Sequence, residues 1–125
     1  RTMAIDRLVH WFKLPAGMSS TYKGLELVRF GVIELTVQEE LTAAKMADQS
    51  AYALANRTVM MAVRYAKTAD GQAVEFSLAD DSAELLWASM GPKVRTLLLQ
   101  AHVQVNTPKQ DETASFLNSC EVSVG

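Results

Sequence analysis

The chain is short of the residues that build metal and covalent sites. It has one cysteine, Cys120, and two histidines, His10 and His102. One thiol makes neither an intrachain disulfide framework nor a cysteine-based zinc site. The histidines form no H-x-x-x-H or H-x-x-E pair, so no metal and no cofactor are expected. None of the six glycines falls in a phosphate-cradling pattern, and no G-x-S-x-G elbow presents a serine nucleophile. An excess of one charge is missing too: 12 basic residues against 14 acidic leave a net charge of −2. That is no electrostatic footprint for nucleic acid, so none is expected as a partner. Apolar runs such as Val59–Val63 and Leu97–Leu99 fall far below the ~18 residues of a membrane span. Arg1 and Arg7 are followed by no apolar h-region. Neither a signal peptide nor a membrane partner is therefore expected, and a free thiol fits a reducing cytoplasm.

What is present is apolar material: 49% of 125 residues, enough for the core of one domain. At the N-terminus, Ile5, Leu8, Val9 and Phe12 fall at i, i+3, i+4 and i+7 with Trp11 beside them. That spacing predicts an amphipathic helix within residues 1–14, semi-independent of the rest. Leu14-Pro15-Ala16-Gly17 ends it, since the residue before proline leaves the helical region. Tyr22-Lys23-Gly24 reads as a turn. Leu25–Leu35 alternates as a strand pair or one bulged strand, interrupted at Gly31.

Thr36-Val37-Gln38-Glu39 is a capping box. It predicts a helix from Val37 to about Ala47 with Val37, Leu41 and Ala44 inward. A second helix is expected from Ala51 to Ala66. Tyr52, Ala55, Val59, Ala62, Val63 and Ala66 form one apolar stripe on it, and Leu54, Met61 and Tyr65 a second. A helix apolar nearly all round is central to its fold or shared with a partner, and this one favours more than a monomer. Val74–Leu78 reads as a strand. A short helix from Asp80, Asp81 and Ser82 through Met90 follows, then, after Gly91-Pro92, Lys93–Val105, which should bury Val94, Leu97, Leu98, Ala101 and Val105. Thr107-Pro108-Lys109-Gln110 is a second capping-box candidate. It opens a helix to about Asn118 that should bury Ala114 and Leu117. Glu121–Val124 alternates like a strand. The expected class is α+β: a helix-dominated single domain with a small antiparallel sheet.

Candidates for chemistry are few. His102 sits at the edge of an apolar helical stripe and reads as a packing residue. A Cys120–His102 dyad would lack a third, orienting group. Glu39-Glu40 and Asp80-Asp81 stand at helix starts, where they oppose the helix dipole. Adjacent helical residues do not face each other across a substrate. Arg57 and Arg64, seven apart, would share one helix face, as a solvated stripe or an anion grip. No catalytic set emerges, so an enzyme is not expected. The surface candidates for a protein partner are Ile5, Leu8, Trp11 and Phe12 on the first segment, and Leu54, Met61 and Tyr65 on the second helical stripe.

The order of motifs resembles the small tail assembly chaperones of tailed bacteriophages. Phe12-Lys13-Leu14-Pro15-Ala16-Gly17 is similar to that family's opening before a short strand pair, and Leu25–Leu35 to the pair itself. Glu34–Glu40 looks like its strand-to-capped-helix entry. The block around Trp87 and Lys93–Ala101 follows, and then the acidic end Asp111–Ser119. The resemblance covers roughly Phe12 to Val124 and implies a protein without enzymatic activity, acting in the host cytoplasm. Such a protein binds a helical partner, the tape measure protein or another tail protein, during virion morphogenesis. A homo-oligomer is also expected. The alternative is a structural tail or neck component of the particle.

Overall fold

A computed structural model describes residues 7–46, 51–77 and 82–124. Among them are five strands and five helices, in the order β1 (Val9–Lys13), β2 (Ser20–Tyr22), β3 (Leu25–Ile33), α1 (Val37–Met46), α2 (Ala51–Ala62), β4 (Val63–Thr68), β5 (Ala73–Glu75), α3 (Ser82–Ala88), α4 (Pro92–Asn106) and α5 (Gln110–Asn118). The class is α+β with a small antiparallel sheet, as expected.

β3 is the axis of the sheet. It pairs antiparallel with β4 on one side, and with both β1 and β2 on the other. β1 and β2 act as one interrupted edge strand. Leu14 N–H still donates to Val28 O at 2.8 Å, and residues 15–19 then loop out before Ser20 rejoins opposite Leu27. The excursion turns on Gly17, at φ +84°, a value glycine adopts without steric cost. β2 returns into β3 through Lys23-Gly24, both at positive φ, the two-residue hairpin geometry that matches strand twist. β3 is a single strand with register shifts at Leu27/Arg29 and Gly31/Val32, the bulged alternative of the two open from sequence.

Alternation along β3, reset by the bulge between Leu27 and Arg29, sends Leu27, Phe30 and Val32 to one face, where all three are fully buried. α2, α3 and α4 cover that face. Val59, Phe76, Leu86 and Leu98 complete the core, and the Tyr22 and Phe76 rings meet edge-on at 5.1 Å. Asn106 ties the end of α4 to the end of β3: its Oδ1 accepts from Leu35 N–H at 2.7 Å, and its Nδ2 donates to Ile33 O.

Several expectations are corrected. Residues 9–13 form strand β1, not the end of a helix. Val-His-Trp-Phe-Lys alternates as well as it spirals, and the unpaired edge of β3 decides between the two readings. The helix expected to Ala66 stops at Ala62, and the chain enters β4 at once. β-branched Val63 begins the strand, and Arg64 Nε donates to the Met61 carbonyl at the helix end, 2.8 Å away.

α1 starts where its capping box places it, with Glu39 N–H on Thr36 Oγ1 at 3.2 Å and Thr36 N–H on Glu39 Oε1 at 2.9 Å. Its inward face is the reverse of the expected one. Ala43 is buried, while Val37, Leu41 and Ala44 are exposed. Glu39 sets this orientation: it turns inward to Arg7 and Arg64 and carries Ala43, four residues on, with it.

α4 follows expectation, with Val94, Leu98 and Ala101 buried. The second capping box lies two residues later than expected. Pro108 holds Thr107 extended (φ −118°, ψ 130°), so Lys109 becomes the cap and its N–H donates to Glu112 Oε1 at 2.8 Å. None of the nine described residues of α5 is buried. Ala114 and Leu117 are therefore not core residues. Residues 121–124 form no strand. Asp80 and Asp81 lie outside the described residues.

Candidate partner-binding surface

α2, α3 and α4 lie on one face of the sheet, and cross-strand register builds the other. Trp11 on β1 is opposite Gly31 on β3, which is opposite Tyr65 on β4. One row along, Lys13, Arg29 and Lys67 are opposite one another in the same way. Directly opposed residues on neighbouring strands project from the same face, about 5 Å apart. An aromatic pair with a glycine floor therefore stands beside a row of three cations.

Gly31 is glycine because of this neighbourhood. A Cβ there would come within 2.6 Å of Val9 Cγ1, 3.1 Å of Tyr65 Cβ and 3.3 Å of Trp11. The missing side chain lets Trp11 and Tyr65 approach to 6.4 Å between ring centroids. Lys67 Nζ lies 4.3 Å from the centre of the Trp11 ring, a cation–π contact. Trp11 remains 41% exposed. Lys13 and Arg29 are exposed and enter no ion pair among the described residues. Like charges set opposite each other across strands are destabilising, so the row is not explained by the stability of the sheet.

The residues expected to meet a partner divide. Trp11 and Tyr65 come together on this face, although they were expected on two separate helices. Leu8 is 79% exposed just before β1. Phe12 points to the opposite face, half-buried against the core. Met61 is 6% exposed and belongs to the interior. Ile5 and the side chain of Leu54 lie outside the described residues. The second stripe of α2 is thus not a free surface as far as it is described: Met61 is enclosed by its own chain and Tyr65 sits on a strand. The argument for self-association that rested on that stripe falls with it.

Missing from the sequence reading were Lys13, Arg29 and Lys67, which become neighbours only through register. Phe116 and Leu117, 75% and 64% exposed, were expected near or in the core.

The remaining titratable groups are accounted for by structure. Glu39 accepts from Arg7 through both oxygens, and from Arg64 Nη2 at 2.8 Å. The Arg7 hydrogen bonds, helped by the Thr36 N–H, lower its pKa to about 2 against burial. Arg57 pairs with Glu84 at 2.8 Å. Arg57 and Arg64 therefore lie on different elements, each held by a carboxylate, and grip no anion together. His102 is half-buried, with Nδ1 3.1 Å from Asn106 Nδ2, and burial lowers its pKa. Cys120 is exposed on the C-terminal segment. Among the described residues no hydrogen bond joins it to His102, and no cluster of three or more His, Cys, Asp or Glu is arranged to hold a metal. None of the described helices is long and apolar enough to cross a membrane.

An open apolar groove runs between α4 and the 15–19 loop. Its wider part, about 440 Å³, is lined by Pro15, Met18, Pro92, Lys93, Thr96 and Leu97. A second part of about 250 Å³ shares Pro15 and Leu97 and continues past Phe12, Lys13 and Gln100 to Gln104. The Leu14-Pro15-Ala16-Gly17 motif therefore builds one lip of a groove. No family model, curated protein or solved structure matches the chain.

Proposed function

We propose that this protein is a phage tail assembly chaperone or adaptor. It binds a long helical partner, such as the tape measure protein, in the host cytoplasm and does no chemistry of its own. The observation that carries the reading is the sheet face opposite α2, α3 and α4, where Trp11 and Tyr65 flank Gly31 beside the row Lys13, Arg29 and Lys67. An amphipathic helix with acidic edges is the complement of such a face. It covers the aromatic pair with apolar side chains and relieves the like-charge row with carboxylates. The loop built by Leu14-Pro15-Ala16-Gly17, the hairpin into β3 and the capped start of α1 support the reading through their likeness in order to that family.

Co-expression with a tagged segment of a tape measure protein tests it. The wild-type chain is expected to co-purify. A Trp11→Ala/Arg29→Glu variant is expected to lose the complex while keeping its circular dichroism and melting profile. A complex indifferent to these substitutions would overturn the reading. So would tight, Arg29-dependent binding of a single-stranded oligonucleotide in place of the protein.

The alternative, a structural tail or neck component, draws on the exposed Phe116 and Leu117 of α5, since ring subunits bury such faces between neighbours. Mass spectrometry of purified particles separates the two: a chaperone is absent from them, a structural subunit present.

A further inference from the structure

α5 is a helix without burial. Helices of this length are marginal in water when nothing packs against them. The Glu112 bond to Lys109 N–H is a local contribution that does not replace packing. α5 carries what a docked helix needs. Glu112 and Phe116, like Thr113 and Leu117, are four residues apart, so an acidic group and two large apolar side chains lie on adjoining strips of one side. Asp111 adds a second carboxylate in the first turn.

The groove along α4 is the matching surface. From Pro92 to Gln104 it follows twelve residue steps of helix, roughly 18 Å, and α5 with nine residues is roughly 13 Å long. Its floor is apolar at Met18 and Leu97. Its cation, Lys93, enters no ion pair among the described residues. Length, apolar character and charge all correspond.

We propose that α5 of one copy docks in this groove of a second copy, reciprocally, giving a two-fold dimer. Phe116 and Leu117 enter between Met18 and Leu97, and Asp111 and Glu112 meet Lys93. The connector favours a second copy over the chain's own groove. Thr107 (φ −118°, ψ 130°) and Lys109 (φ −69°, ψ 158°) are both extended, and Pro108 between them has a fixed φ. α5 is not packed along its own α4. Two-fold symmetry repeats every complementary pair. The dimer does not depend on the sheet face assigned to the helical partner, so either assignment can fail without the other.

Light scattering over a concentration series is the test, with Cys120 as a built-in probe just beyond α5. Wild type is expected to move from 13.7 kDa to twice that mass. Phe116→Asp raises the dimer dissociation constant about 30-fold or more, with an unchanged melting profile at dilution because Phe116 touches no core. Lys93→Glu raises it about fivefold, and Lys93→Glu combined with Glu112→Lys restores it. A Gln100→Cys/Cys120→Ser chain mixed with wild type is expected to form a disulfide between chains. A monomer at every concentration overturns the proposal. A dimer indifferent to Phe116→Asp does the same. A Gln100→Cys chain that closes its disulfide within one molecule assigns the groove to the chain's own α5 and also overturns it.

Discussion

β3 and α5 are each nine residues long, and they stand at opposite ends of the molecule's stability. β3 buries Leu27, Phe30, Val32 and Ile33 and is paired along both edges. α5 buries nothing and rests on one backbone cap. The strand owes its conformation to contacts distant in sequence, the helix to its nearest neighbours. Regular structure without burial is weakly held, so an element like α5 gains most when another surface covers it. β3 carries the fold with one face and presents Gly31 and Arg29 on the other, whereas α5 has no buried face at all.

Breaking the strand side should have the largest effect. Phe30 is fully buried, and Phe30→Ala is expected to cost about 3–5 kcal/mol, read as a lower urea midpoint. Gly31→Ala comes next. Its Cβ would collide with Val9 and crowd Tyr65 and Trp11, for an expected loss of about 1–2 kcal/mol and a shift in Trp11 fluorescence.

Glu39→Gln tests the network that turns α1. The folded pKa of Glu39 is lowered from 4.5 to about 2, first by Arg7. Its carboxylate therefore stabilises the fold above about pH 4.5, and that contribution is lost as the pH falls from 4.5 towards 2. The variant should be less stable by about 1–2 kcal/mol at neutral pH, after allowance for solvent screening. Its stability should fall less on acidification than that of wild type.

Phe116→Ala is the smallest. It should change the stability of the dilute protein by no more than about 0.5 kcal/mol, although it removes the same side chain as Phe30→Ala.

Legibility in the sequence followed the range of the interactions. The Thr36–Glu39 capping box, the Lys23-Gly24 turn and the buried positions of α4 are local and were readable. β1 and the end of α2 were not, because pairing with β3 overrides a spacing that suits a helix equally well. The face of α1 followed Glu39 and its two arginines, 25 and 32 residues away, and not its apolar stripe. In the candidate site Trp11 and Tyr65 were legible as surface aromatics. Their meeting over Gly31, and the alignment of Lys13, Arg29 and Lys67, are properties of register alone. Phe116 and Leu117 looked like core because apolar spacing marks a face to be covered without saying by which chain.

Hydrogen exchange resolved by segment, at several protein concentrations, tests the contrast most directly. The account predicts β3 amides protected to the full unfolding free energy at every concentration. It predicts α5 amides exchanging almost freely at dilution and slowing as the protein is concentrated. Protection of α5 as strong at the lowest concentration as at the highest would contradict it.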